Sequence, residues 1–213
     1  MKKIIYVLAF IAFSLQATAQ ETAKQIFTAP NLPALLSVHK NVAILPFRVT
    51  IGYKRMPKGF DAEGNRQEEL KSGFNLQQGM YTYLLRRSAD YMVSFQDVER
   101  TNALLRKAGV LDKIDETLSD ELCKILGVDA VIKCSYAYEK TGSEAGAIAV
   151  AALFGVASKT GSGNLTMQIN NATDGALLWR FYKEMNETAF SSGNEIMERM
   201  MRKVSRNFPY LKQ

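Results

Sequence analysis

The sequence predicts an α/β domain, with a mixed sheet of about five strands packed with helices in a two- or three-layer sandwich. Three observations predict it. Short β-branched runs at 42–47, 91–95 and 129–138 alternate with stretches whose apolar residues recur at three and four positions, the helical period. Leu165, Met167 and Ile169 alternate with polar residues before a turn at 171–175, Leu177, Trp179 and Phe181 recur at every second position after it, and the pair reads as a hairpin. No internal repeat or long linker divides the chain, so 41–213 reads as a single domain.

Residues 1–20 read as a cleaved secretory signal peptide. Lys2 and Lys3 open it, an uncharged apolar run follows from Ile4 to Phe13, and Ala17 and Ala19 supply the small residues at alternate positions. Cleavage falls after Ala19 or Gln20. The apolar run is about half the ~20 residues a spanning helix needs. No cysteine lies near residue 20, so no lipid anchor is expected. The predicted location is periplasmic or secreted.

Residues 21–40 are expected to be an irregular lead-in, because Pro30 and Pro33 interrupt any helix there. Val42 to Phe47, continued by Val49 and Ile51, predicts a buried strand. Pro46 should bend it or put it at an edge. A polar loop spans 54–67. A helix follows over 67–87, with Leu70, Phe74, Gln77, Met80, Tyr81 and Leu84 as its stripe. Tyr91 to Phe95 is a second strand. Asp97 caps a helix from Val98 to Ala108 that stops at Gly109. Thr117–Asp120 resembles a capping box opening a helix that carries Leu118, Leu122, Ile125 and Leu126 and ends at Gly127. Asp129 to Tyr138 is the third strand. Leu165, Met167 and Ile169 alternate with polar residues, and Leu177, Trp179 and Phe181 return after the turn. A last helix from Asn194 to about Arg206 carries Ile196, Met197, Met200, Met201 and Val204.

These motifs, in this order, resemble the CsgG-like superfamily of bacterial envelope proteins. That group includes the curli-secretion channel, lipoproteins that activate penicillin-binding proteins, and the amino-terminal domain of the Tol propeller protein. Val42–Phe47 looks like the family's opening strand and Leu76–Leu85 like its long first helix. Val93–Arg100 is similar to the strand ending in Val-Glu-Arg, and Leu122–Ile132 to the leucine-rich helix, glycine and strand that follow. Residues 164–182 look like the terminal hairpin. The resemblance covers roughly 41–207. It implies an anticodon-binding-domain-like sandwich and an envelope setting, and says little of activity, since such folds host unrelated roles.

Composition narrows the function classes. The hydrophobic fraction is 47% and the charged fraction 23%, ordinary for a globular chain. The formal net charge is +6, falling to +4 once Lys2 and Lys3 leave with the leader. That is too small and too scattered to argue for nucleic acid. His39 is the only histidine and reads as a solvated loop residue. Cys123 and Cys134 read as separately buried thiols, with a disulfide as the alternative if helix and strand bring them together. One histidine and two cysteines do not make a four-ligand zinc site, so no metal is expected. No phosphate-cradling loop or catalytic constellation stands out, so no cofactor and no enzyme activity are expected.

Two stretches remain as a candidate interaction surface. Residues 145–157 are uncharged and apolar all round, with Ile148, Val150, Leu153, Phe154 and Val156 as the large side chains. A buried helix crossing one face is the plainer reading, and a surface element docking on a membrane or second subunit the other. The last helix sets Arg199, Arg202, Lys203 and Arg206 beside its methionines. The methionines suit core packing, and the basic side reads as a solvated face, with contact to an anionic lipid or acidic polymer as the alternative. The expected function is a non-enzymatic envelope protein that binds a protein partner in outer-membrane assembly, transport or cell-wall synthesis. The alternative is a homo-oligomeric, membrane-associated channel or collar subunit using 145–157.

Overall fold

A computed structural model describes residues 24–140, 159–188 and 193–212. The domain is α/β, as its patterning predicts, but the mixed sheet has seven strands rather than about five. They are β1 (Gln25–Thr28), β2 (Asn41–Ile44), β3 (Arg48–Tyr53), β4 (Ser94–Phe95), β5 (Ala130–Lys140), β6 (Lys159–Asn171) and β7 (Leu177–Thr188). The order is β1-β7-β6-β5-β2-β4, with β3 also on β5. The β2–β4, β2–β5 and β3–β5 pairs are parallel, and the rest are antiparallel.

The extra strands come from two places. Pro46 splits the first predicted strand. Ile44 pairs Ile132 while Arg48 pairs Ser135, so four residues of the interrupted strand span three of β5. Proline has no N–H for the ladder, and the additional residue is accommodated as a bulge. The predicted irregular lead-in is corrected: it holds β1 and a short helix α1 (Leu32–Ser37). Pro33 lies in the first turn of α1, where a backbone N–H has no intrahelical partner to lose. All four residues of β1 are exposed, so no burial alternation announces it.

Alternate side chains of the sheet enter two separate cores. Val42, Ile44, Ile132, Cys134, Leu165, Met167, Trp179 and Phe181 meet α1, the long helix α2 (Ala62–Arg86) and α5 (Gly193–Val204). Ala43, Leu45 and Val131 meet α3 (Val98–Lys107) and α4 (Ser119–Leu126). Helix α2 begins five residues before the predicted start because Asp61 caps it, accepting from the Glu63 N–H at 3.1 Å. Its buried stripe is Gly73, Leu76, Gln77, Met80, Tyr83 and Leu84, and Leu70 is exposed instead of buried. Asp97 caps α3 as expected, accepting from the Arg100 N–H at 2.9 Å. The capping box at Thr117 does not form: Leu118 precedes α4, and the Thr117 hydroxyl donates to the Lys113 carbonyl at 2.9 Å. The hairpin turn ends on Gly175, whose φ of +69° belongs to the left-handed region that favours glycine.

Gln77 ties the helical layers together beyond the end of β2. Its Nε2 donates to the Ile44 carbonyl at 2.7 Å and to Asn102 Oδ1 at 3.0 Å, and Asn102 Nδ2 returns a bond to Gln77 Oε1 at 2.9 Å. Gln77→Leu keeps the bulk but leaves these groups without their partner. A loss of about 1–3 kcal/mol is expected, read as a lower urea midpoint at unchanged slope. An unaltered midpoint would show the bonds to be dispensable.

Candidate interaction surface

The polar and reactive side chains singled out in the sequence are largely drawn into packing. His39 is buried, not solvated as its loop position suggested. Its Nδ1 lies 2.8 Å from the Tyr210 hydroxyl and its Nε2 3.3 Å from Asn171 Oδ1. The chain end folds back over the His39 loop, which a linear reading does not reveal. Burial lowers its pKa below 6.5, outweighing the Asn171 bond and the charge of Asp129. Neutral His39 in the fold and protonated histidine in the unfolded chain set the sign: stability is full above the unfolded value and declines as pH falls below it. Unfolding free energy is therefore expected to decrease from about pH 7 toward pH 5. His39→Gln should flatten that segment of a urea-denaturation pH series, and a wild-type profile flat across it would contradict the assignment.

Cys123 and Cys134 are both free and buried, in different cores on opposite faces of the sheet. The sheet between them leaves no route to a disulfide in the folded chain. Burial pushes the Cys123 thiol up to about 12 and raises Cys134 as well, so both remain protonated near neutrality. Among the described residues no group of three or more His, Cys, Asp or Glu is placed to hold a metal ion.

Ile148, Val150, Leu153, Phe154 and Val156 lie outside the described residues. On α5, Met197, Met200, Met201 and Val204 are buried in the larger core, while Arg202, Lys203 and, just beyond the helix, Arg206 are exposed and Arg199 is half-buried. No helix among the described residues is long and apolar enough to cross a membrane.

The sheet itself supplies a surface that sequence reading missed. The smaller core reaches β5 only at Val131. Beyond it, that face carries cross-strand rows of polar and aromatic side chains. One row runs Lys133, Gln168, Arg180, Phe27, and the next Arg48, Ser135, Thr166, Tyr182, Gln25. Phe27 is 47% exposed, and the central members of both rows are half-buried. Alternating Thr166, Gln168 and Asn170 signalled a polar side for β6. Nothing local signalled that β1 would extend it. Asp115, 3.5 Å from Arg48, borders the face, beside an open cleft of about 180 Å³ between Phe47, Val49, Leu70 and Ile114.

The three sheet edges are treated differently. On β3, the Ile51 N–H donates to Glu69 Oε1 at 2.7 Å and its carbonyl accepts from Asn65 Nδ2 at 3.3 Å. Beside β4, the Met92 N–H donates to the Tyr210 carbonyl at 2.9 Å, and Tyr91 bridges to Leu211. No described residue caps the outer edge of β1, where Ile26 is 39% exposed.

No family model matches the chain, and no curated protein matches it either. Solved structures do. A PelC dodecamer from Paraburkholderia phytofirmans is similar over 90% of this chain and 99% of its own, at 13% identity and a TM-score of 0.43. Lipoprotein GNA1162 from Neisseria meningitidis is similar over 78% of this chain and 96% of its own, at 11% identity and a TM-score of 0.44. The LpoB C-terminal domain from Salmonella enterica is similar over 73% and 93%, at 10% identity and a TM-score of 0.36. None of the three reaches a TM-score of 0.5, and the functional reading rests on the geometry and sequence of this chain.

Proposed function

We propose that this chain is a non-enzymatic protein-interaction module of the bacterial cell envelope, exported by residues 1–20 and serving outer-membrane assembly, transport or cell-wall synthesis. The observation that carries the reading is the polar sheet face running out to the edge at β1, which no described residue caps. Edges with free backbone groups are surfaces that other chains complete. The packing of His39, Cys123 and Cys134 is consistent with this, because side chains suited to proton transfer or nucleophilic attack serve the interior instead.

Photo-crosslinking residues introduced singly at Thr166 and Tyr182 test the proposal. In living cells each is expected to give a discrete adduct of higher mass. The same residue at Glu99, on the exposed side of α3, should give none. Adducts of equal yield at all three positions, or none at Thr166 and Tyr182, would overturn the reading.

A further inference from the structure

The outer edge of β1 has a hydrogen-bonding pattern and an electrostatic setting that together specify a partner. The Ala29 N–H donates to the Leu178 carbonyl at 2.8 Å, one step beyond the Thr28–Trp179 pair. In an antiparallel ladder alternate residues bond inward, here Gln25, Phe27 and Ala29. Ile26 and Thr28 therefore turn their N–H and C=O groups outward. The strand contains no charge, proline or bulge of the kind that blunts exposed edges.

Basic side chains flank this edge on both faces of the sheet. Phe27 pairs with Arg180 on the polar face. On the opposite face Lys24 Nζ donates to Asn207 Oδ1 at 3.0 Å, which brings the turn just past α5, with exposed Arg206, to the start of β1, and Arg202 lies exposed in the last turn of α5 before it. Glu184 is the acidic side chain on this part of β7, two positions past Tyr182 and 3.4 Å from its hydroxyl. An added strand would thus project alternate side chains toward the α5 cations and toward Phe27.

We propose that β1 receives an extended acidic segment of a partner protein as an eighth strand. Ile26 and Thr28 supply the backbone bonds, Lys24, Arg202 and Arg206 meet its carboxylates, and Phe27 meets its apolar side chains. This rests on the interaction-module reading above and names the partner's chemistry. Main-chain bonds give such a complex its affinity, and the alternating side chains give it selectivity.

The test uses the mature chain and a fluorescent eight-residue peptide alternating Glu and Val, with an alternating Lys and Val peptide and a blocked Glu-then-Val peptide as comparisons. Anisotropy should show saturable binding of the alternating Glu peptide alone, weakening several-fold as salt rises from low to above-physiological strength. Ile26→Pro removes one outward N–H without touching the bonds to β7, so it should lower affinity at least tenfold with circular dichroism and melting unchanged. Thr28→Pro provides a second probe of the same edge should the first disturb folding. The double variant Lys24→Glu, Arg206→Glu should abolish binding of the Glu peptide and admit the Lys peptide. Equal binding of both alternating peptides, or of neither, overturns the proposal. So does a dimeric free protein that Ile26→Pro converts to monomer, since the edge would then belong to a second copy. Crosslinking at Thr166 and Tyr182 is read separately, so loss of peptide binding with those adducts intact would reject this inference and leave the module reading standing.

Discussion

Ending the chain after Asn207 is expected to unfold the domain. The last six residues look peripheral in a linear view, yet Phe208 and Tyr210 are buried at 2% and 0% exposure. Phe208 packs edge-on against Tyr91, Trp179 and Tyr210 and stacks on Phe95. The same segment caps the β4 edge and supplies the hydroxyl that meets His39. Removing a buried aromatic costs about 3–5 kcal/mol, and two are lost together with several hydrogen bonds. That total approaches the whole stability of a domain, about 5–15 kcal/mol. The truncated protein should show no cooperative thermal transition and no near-ultraviolet dichroism. A sharp transition within a few degrees of the full chain would refute this account of the core. Tyr210→Phe dissects the effect, because it keeps the ring and leaves His39 Nδ1 without that partner. A loss of about 1–3 kcal/mol is expected, measured as a shift in the urea midpoint.

Gly73→Ala is the second large effect, and its direction opposes helix propensity. In an exposed helix interior, alanine would gain about 1 kcal/mol over glycine. Here a Cβ at position 73 would stand 2.3 Å from the Phe47 carbonyl oxygen, far inside ordinary contact. The obstacle is backbone, and it is held in place because the Phe47 N–H donates to the Gly73 carbonyl at 3.3 Å. Relief requires α2 to move off the β2–β3 connection, disturbing the contacts of Leu76 and Met80 below it. Overpacking of this kind typically costs about 1–3 kcal/mol and occasionally more. A net destabilisation of about 2 kcal/mol is expected despite the propensity gain. Equilibrium urea denaturation checks it, and a variant as stable as the parent would mean that α2 does not approach the sheet so closely.

Both effects arise where distant segments meet, and the same distinction separates what patterning revealed from what it did not. The β6–β7 hairpin, the Asp97 cap, the stop at Gly127 and the methionine side of α5 were legible because each depends on residues a few positions apart. A period of two or of 3.6, a capping carboxylate or a glycine in a tight turn carries its physical cause locally. Strand β1 was not legible: four exposed residues have no periodic burial, and they form a strand only because β7 offers an edge 150 or so residues away. The buried state of His39 was hidden for the same reason, since Tyr210 and Asn171 reach it from remote parts of the chain.

The candidate surface divides along the same line. The polar alternation of Thr166, Gln168 and Asn170 and the basic residues of α5 could be read directly. Their relation to β1, Arg180 and Lys24 exists only after the sheet is assembled. By itself the sequence determined the α/β class, most elements and the mild positive charge, all consequences of composition and short-range spacing. The tertiary structure decided which strands lie at the edges, which edges the described residues cap, which side chains of the sheet face each core and which polar groups are buried. Those depend on contacts between residues far apart in the chain, where hydrogen-bond satisfaction and close packing, not local preference, select the arrangement.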